Sequence, residues 1–409
     1  VWISEDPSEK RSARAQFWVL PMADAPPYAP AWPFDLPGFA PAFSWFPDNR
    51  RVVSALPHPR PGVHLWVTDT ARNTPRLIAT TGGIENDPAV SPDGTRLALT
   101  LQQADYDLYQ LSVDRPSPTV VLATSLNEMD PVWSPTGGEM AFTTDRTGRD
   151  EIWLRSQQGD WERPLVTPAD FGPGQLDRLL AVPAFSPDGQ RIAYTRQGPE
   201  GNRIWLSPIA GGPPVRLSEI DSVQDSPSWS PDGSWIAYVE GTRGAWSLAK
   251  MRVGARTPPQ QLASDLVPFP FSPVQWAPDG SRIAYNSAKG LSVVSSDNTS
   301  VHAVHEQPWI GFAWSADSQR LFGIRTGEDF KHLTFTSVDV RSGSERVISA
   351  NFMPYPISGQ PVRGFTRISA TSFLTSIAHV RSDVWLLEGF DAPPSVWDRF
   401  VDSLRFRRR

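Results

Sequence analysis

The chain has 409 residues, 39% hydrophobic and 20% charged, with a formal net charge of −6. That balance supplies no basic field for nucleic acid, and the lack of cysteine excludes a disulfide framework, a thiolate metal site and a cysteine nucleophile. Pro (42) and Trp (17) are abundant, a composition of many short strands joined by tight turns, and no apolar run reaches the ~18 residues of a membrane helix.

The amino end opens with "VWIS" (1–4) and "AQFWVLPM" (15–22), followed by the Pro-rich "APPYAPAWPFDLPGFAPAF" (25–43). Residues 1–40 are therefore expected to hold one latch strand and an extended arm. A second reading stays open. "FWVLPMADAPP" (17–27) is similar to "IWLSPIAGGPP" (204–214), which would make it the third strand of a partial repeat.

From residue 41 to about 390 one unit recurs. It is seen as "FSWFPDNRRVVSAL" (43–56), "PAVSPDGTRLALTL" (88–101), "PVWSPTGGEMAFTT" (131–144) and "PAFSPDGQRIAYTR" (183–196). It returns as "PSWSPDGSWIAYVE" (227–240), "VQWAPDGSRIAYNS" (274–287), "FAWSADSQRLFGIR" (312–325) and a worn "TRISATSFLTSI" (366–377). The mean spacing is about 46 residues, near that of a four-stranded propeller blade. Each copy is a hairpin: Pro presets φ at the turn and Gly supplies the positive-φ position. A third apolar strand follows each hairpin, among them "DLYQLSV" (107–113) and "DVWLLE" (383–388). A fourth follows seven of them, for example "VVLAT" (120–124). The fold expected is all-β, a β-propeller of four-stranded antiparallel blades. Eight blades are expected, closed by the amino-terminal strand, with seven as the alternative. Single blades cannot bury both faces and must stack.

The pattern W-S-P-D-G-x-x-I-A-Y, with "IWLSPIAGGPPVRLS" (204–218), resembles the TolB-like β-propeller repeat over about residues 40–390. The carboxyl end "FLTSIAHVRSDVWLLEGF" (373–390) resembles the end of propellers attached to membrane-anchored bacterial winged-helix regulators or kinases. That resemblance implies a non-enzymatic sensor or protein-interaction module. Two alternatives remain: a stand-alone periplasmic TolB-like envelope scaffold, and a propeller-based hydrolase or lyase. It also implies a periplasmic or other extracytoplasmic location, with the cytoplasm as alternative, and membrane attachment only through a segment upstream of Val1. No G-x-S-x-G elbow accompanies the propeller.

Candidate chemistry is sparse. His302 and His305 are the one close histidine pair, and on a strand they face opposite sides. Asp87, Asp130 and Asp225 recur just before the inner strand. Converging carboxylates would hold a cation or a basic ligand tail, but recurrence at equivalent positions favours a local turn role. Neither a catalytic residue, a metal site nor a cofactor is expected. The loops entering the inner strands carry Phe171, Arg178, Phe269, Phe271, Trp309, Phe352, Tyr355 and Arg363. Aromatic and Arg side chains in irregular loops suit a protein or peptide partner at one propeller mouth. Residues 391–409 change character: Trp397, Phe400, Val401 and Leu404 recur at helical spacing before "RFRRR", a short amphipathic basic tail.

Overall fold

Four of the repeats turn on the same small network, visible around Pro231. Ser230 Oγ donates to Asp232 Oδ1 at 2.5 Å, Asp232 Oδ1 accepts the Ser234 N–H, and Ser230 Oγ accepts the Trp235 N–H. Gly233 takes φ 69° to close the turn. Ser91 with Asp93, Ser186 with Asp188 and Ser315 with Asp317 repeat it bond for bond. The Ser hydroxyl beside each of Asp188, Asp232 and Asp317 holds its carboxyl below the usual carboxylate range. These aspartates are thus fully engaged in turn geometry.

A computed structural model of the chain describes residues 14–15, 18–20, 26–28, 36–37, 42–57, 63–71, 74–78, 84–172, 179–198, 200–242, 245–255, 257–266, 273–327, 332–354 and 361–390. Apart from one short 3-10 turn, Pro168–Phe171, the regular structure of these residues is antiparallel strand. The chain divides into two compact units, residues 1–104 with 380–409, and residues 105–379. The region 41–390 expected to form the propeller is shared between the two units.

The first unit holds a sheet of Phe43–Trp45, Arg51–Pro57, Val63–Asp69 and Thr74–Leu77. Beside it lies a sheet of Ile84–Val90, residues 96–104 and residues 380–388. Phe46, Val53, Leu65, Leu97 and Leu99 form their shared core, with Leu387 and Phe390 packed against it. Ser44 Oγ accepts the Val90 N–H at 3.1 Å and so joins the two inner strands.

The second unit holds six sheets. Five are consecutive four-stranded meanders, beginning at Glu128, Leu179, Val223, Val274 and Gly311. The sixth is composite. Val362–Arg367 pairs with residues 372–379, which lie beside residues 105–112, which pair with Arg115–Leu122. The six inner strands neighbour one another in cyclic order, with Val362–Arg367 meeting both Gly311–Trp314 and Glu128–Trp133. Ser228 Oγ accepts the Trp276 N–H at 2.9 Å between two of them. At the closing junction Thr366 Oγ1 accepts the Trp133 N–H at 3.3 Å in the same way.

The all-β propeller of four-stranded antiparallel sheets is seen, while eight blades in one ring are not confirmed. Six sheets close on one another, and the repeats around Pro47 and Pro92 lie in the other unit. The cause is two long strands, Arg96–Ser112 and Ser372–Glu388. Elsewhere the second and third strands of a repeat are joined through Gly- or Pro-bearing links such as "TDRTGRDE" and "RQGPEGNR". Here the links are "TLQQADYD" and "SIAHVRSD", without Gly or Pro, and the strands run straight on. "DLYQLSV" and "DVWLLE" consequently serve each other's sheets. Of the expected latch strand at 15–22 only residues 15 and 18–20 are described: Arg14–Ala15 pairs with Leu36–Pro37 and Val19 with Tyr28, and the rest of it lies outside the described residues. The basic tail at 391–409 lies outside the described residues.

Four inner strands of the second unit carry a bulge at one position, where Asp130, Val182, Ser226 and Gly364 take φ of 48°, 51°, 54° and 68°. At Gly364 a Cβ would stand 2.8 Å from the Asp130 Cα. Gly364→Ala is expected to lower unfolding free energy by about 2 kcal/mol or more. Gly137→Ala, with φ 77° but open space around it, should cost less, as urea unfolding of the two variants would show.

Candidate functional site

The six inner strands of the second unit enclose a cavity of about 440 Å³. Its wall is aromatic and proline-rich: Trp133, Trp229, Trp276 and Trp309 alternate around it with Pro131, Pro183, Pro227, Pro273 and Pro308. Two of the tryptophans are held by backbone acceptors. Trp229 Nε1 donates to the Ala184 carbonyl at 3.0 Å and Trp276 Nε1 to the Gly280 carbonyl at 3.1 Å. Trp309 is only 1% exposed and is clamped by Asn286, which accepts its N–H at 3.0 Å and donates to its carbonyl at 2.8 Å. A wall fixed in this way presents flat apolar surface without loss of side-chain freedom on binding.

One charged group breaks the apolar wall. Arg363 donates from Nε to Asp130 Oδ1 at 3.2 Å and from Nη2 to Asp130 Oδ2 at 2.5 Å, and both side chains are buried. Asp130 Oδ2 also accepts the Val182 N–H at 3.3 Å. This carboxylate therefore ties three successive inner strands. It also restrains Val182, a β-branched residue in a left-handed conformation that such residues rarely adopt. The Asp225 carboxylate is buried too and accepts from Thr195, Asn202 and the Ser226 N–H. Burial raises it, against those hydrogen bonds.

Two further acids lie near this junction. Burial pushes Glu128 up to about 7, opposed by the Thr124 hydroxyl and Arg146 and reinforced by Asp107 and Asp105. Its Oε1 accepts from Thr124 at 2.7 Å, while Oε2 is buried without a partner. Burial likewise pushes Asp150 up to about 7, opposed by Arg363.

The structure separates the expected binding residues. Trp309 and Arg363 line the cavity. Phe171 turns inward instead: its ring meets Trp205 edge-on at 5.1 Å, and the Arg196 guanidinium sits 4.0 Å from its centroid. Phe352 is half-buried against the core around Phe335 and Phe373. Both therefore contribute to packing rather than to a free aromatic mouth. Arg178, Phe269, Phe271 and Tyr355 lie outside the described residues. His302 and His305 diverge, toward the Val340 carbonyl and toward Trp309 and Glu345. Among the described residues no group of three or more His, Cys, Asp or Glu side chains is placed to hold a metal. The tryptophans at 133, 229 and 276 were not singled out by sequence, although the recurrent W-S-P and W-A-P place them on the inner strand.

Comparison with known proteins agrees with the fold. Residues 175–361 match the family model described as PD40, TolB beta propeller domain. The structure is similar to that of the putative TolB from Agrobacterium tumefaciens, with a TM-score of 0.54 and 17% identity, over 68% of this chain and 99% of that one. TolB from Acinetobacter baumannii gives 0.44 at 14% identity, over 79% and 78% of the two chains. Oligogalacturonate lyase from Vibrio parahaemolyticus gives 0.42 at 12%, over 73% and 88%. No curated protein sequence matches. The all-β, TolB-like propeller resemblance holds on these findings, and they leave its role open.

Two outcomes follow from the buried charges. Arg363→Met strands the Asp130 carboxylate and is expected to cost about 3–5 kcal/mol; Arg363→Met with Asp130→Leu should recover part of it in urea unfolding. For Glu128 the folded protein favours the protonated acid, so its stabilising contribution is full below about pH 4.5 and is lost as pH rises through about 7. Glu128→Gln should therefore gain thermal midpoint relative to the parent at pH 8 and lose that advantage at pH 4.5, as melts across that range would show.

Proposed function

We propose that this protein acts by recognition rather than catalysis, with the second unit holding an extended protein or peptide segment in its central cavity. The observation that supports this is the cavity wall: four tryptophans, two of them fixed by indole hydrogen bonds to backbone carbonyls and Trp309 by its main-chain bonds to Asn286, with five prolines and the Arg363–Asp130 pair among a few polar groups. Aromatic faces take up apolar and proline side chains at low entropic cost, and the amide groups of Asn286 and Gln275 are polar partners for a peptide backbone. The carboxylate facing the cavity, Asp130, is engaged by Arg363 and Val182, an arrangement suited to shape and not to proton transfer. In a bacterial signalling protein such a module reads an extracytoplasmic partner; a stand-alone envelope scaffold would use the same wall.

The test is selection of a displayed peptide library on the folded protein. Peptides captured by the parent should lose at least about tenfold affinity against Gln275→Trp, which fills the cavity, with the thermal midpoint little changed. Equal binding to parent and variant would move the site elsewhere.

A further inference from the structure

The first unit ends in an unfinished sheet. Of the five-stranded sheet that holds the two long strands, residues 84–90, 96–104 and 380–388 fall in the first unit as three strands, where the other main sheet of that unit has four. Among the described residues nothing pairs with the outer edge of 380–388. That edge is also apolar: Val384 is 81% exposed, Leu386 56% and Trp385 47%. Edge strands of soluble proteins are ordinarily short, charged or covered, and an uncovered apolar one is a template for another strand.

We propose that this edge pairs antiparallel with the same edge of a second copy of the chain. The strand reads Arg381-Ser-Asp-Val-Trp-Leu-Leu-Glu388. A twofold axis through the pair requires opposed residues to share a face, so the register must centre on a residue. Centred on Trp385, Val384 opposes Leu386 of the partner and Leu386 opposes Val384, on the face where exposure is greatest. Ser382 opposes Glu388 at both ends of that cluster. On the other face Trp385 meets its own copy, Asp383 opposes Leu387 and Arg381 opposes Gly389, so no like charges face each other. Centring on Val384 instead sets Asp383 against Trp385 and Ser382 against Leu386, leaving the apolar side chains mismatched. Centring on Leu386 sets Val384 against Glu388, whereas the Trp385 register pairs the two most exposed apolar side chains, Val384 and Leu386, with each other, and in it the second copy supplies a fourth strand. One strand per partner is less than a standard interface buries, so the association is weak and depends on concentration.

The absence of cysteine allows a direct test. Directly opposed residues stand about 4.5–5.5 Å apart between Cα atoms, within disulfide reach. Under mild oxidation Trp385→Cys should give a covalent dimer. Ser382→Cys, whose two copies lie about 20 Å apart in this register, should not. By sedimentation the parent's mass should rise from 45.2 kDa toward twice that with concentration. Leu386→Lys should stay monomeric with an unchanged melt, since its side chain is exposed. A parent monomeric at all concentrations, cross-linking equal at both positions, or a dimer indifferent to Leu386→Lys would each overturn the proposal, the last by assigning dimerisation to another surface.

Discussion

The second unit depends on one constraint: a ring of sheets has to be closed by segments far apart in the chain. Arg363 and Asp130 are separated by 233 residues, yet they form the most deeply buried ion pair at the cavity wall. Loop closure over such a distance costs little more than over half of it, because the entropy grows only with the logarithm of length. The larger cost is desolvation of two charges, offset here by paired hydrogen bonds and a further backbone donor. The pair acts mainly on register. The 364 position must be Gly for the closing strand to approach Asp130, and the same carboxylate fixes Val182 on the next strand. The shape of the cavity follows from this junction.

Closure also explains the exchange of third strands. A repeat that turned back at each link would finish its own sheet. Two repeats lack the Gly or Pro for that turn, so each second strand continues into another sheet. The composite sixth sheet then takes its inner two strands from the carboxyl-terminal part of the ring and its outer two from the amino-terminal part. The same continuation leaves one group of three strands in the first unit with an open edge among the described residues, so the closed ring and that edge have one cause.

The sequence made the strands, hairpins and blade period legible because the S-P-D-G turn is a closed local network. Its hydrogen bonds need no partner from elsewhere, so four copies keep the Ser and Asp that make them and most of the others keep enough of the turn to be recognised. Which hairpins share a ring was not legible from the copies themselves, since the first two are as regular as the rest. It depended on two links whose signal is an absence. The site was legible in part. Trp309 and Arg363 stood out as large side chains near loops, but the loop reading aimed them at solvent. Their true neighbours, Asn286 and Asp130, lie on other repeats. The packing of Phe171 was not legible for the same reason: Arg196 and Trp205, which its ring meets, come from the following repeat, and nothing in its own loop reveals them.

This contrast between constant and variable positions separates scaffold from recognition. At the turns the backbone is determined by side chains, through Ser and Asp oxygens, so substitution there disturbs the fold. At the bulge of the inner strands the order is reversed. The left-handed backbone is held by neighbouring strands, and the position accepts Asp130, Val182, Ser226 and Gly364 in four different sheets. Each faces the cavity or lines its rim. A position whose backbone is fixed by its surroundings and whose side chain is free to vary is where a repeated scaffold can alter what it recognises without altering its fold. Here that freedom has yielded one ion pair, one strained aliphatic residue, one hydroxyl and one close backbone approach.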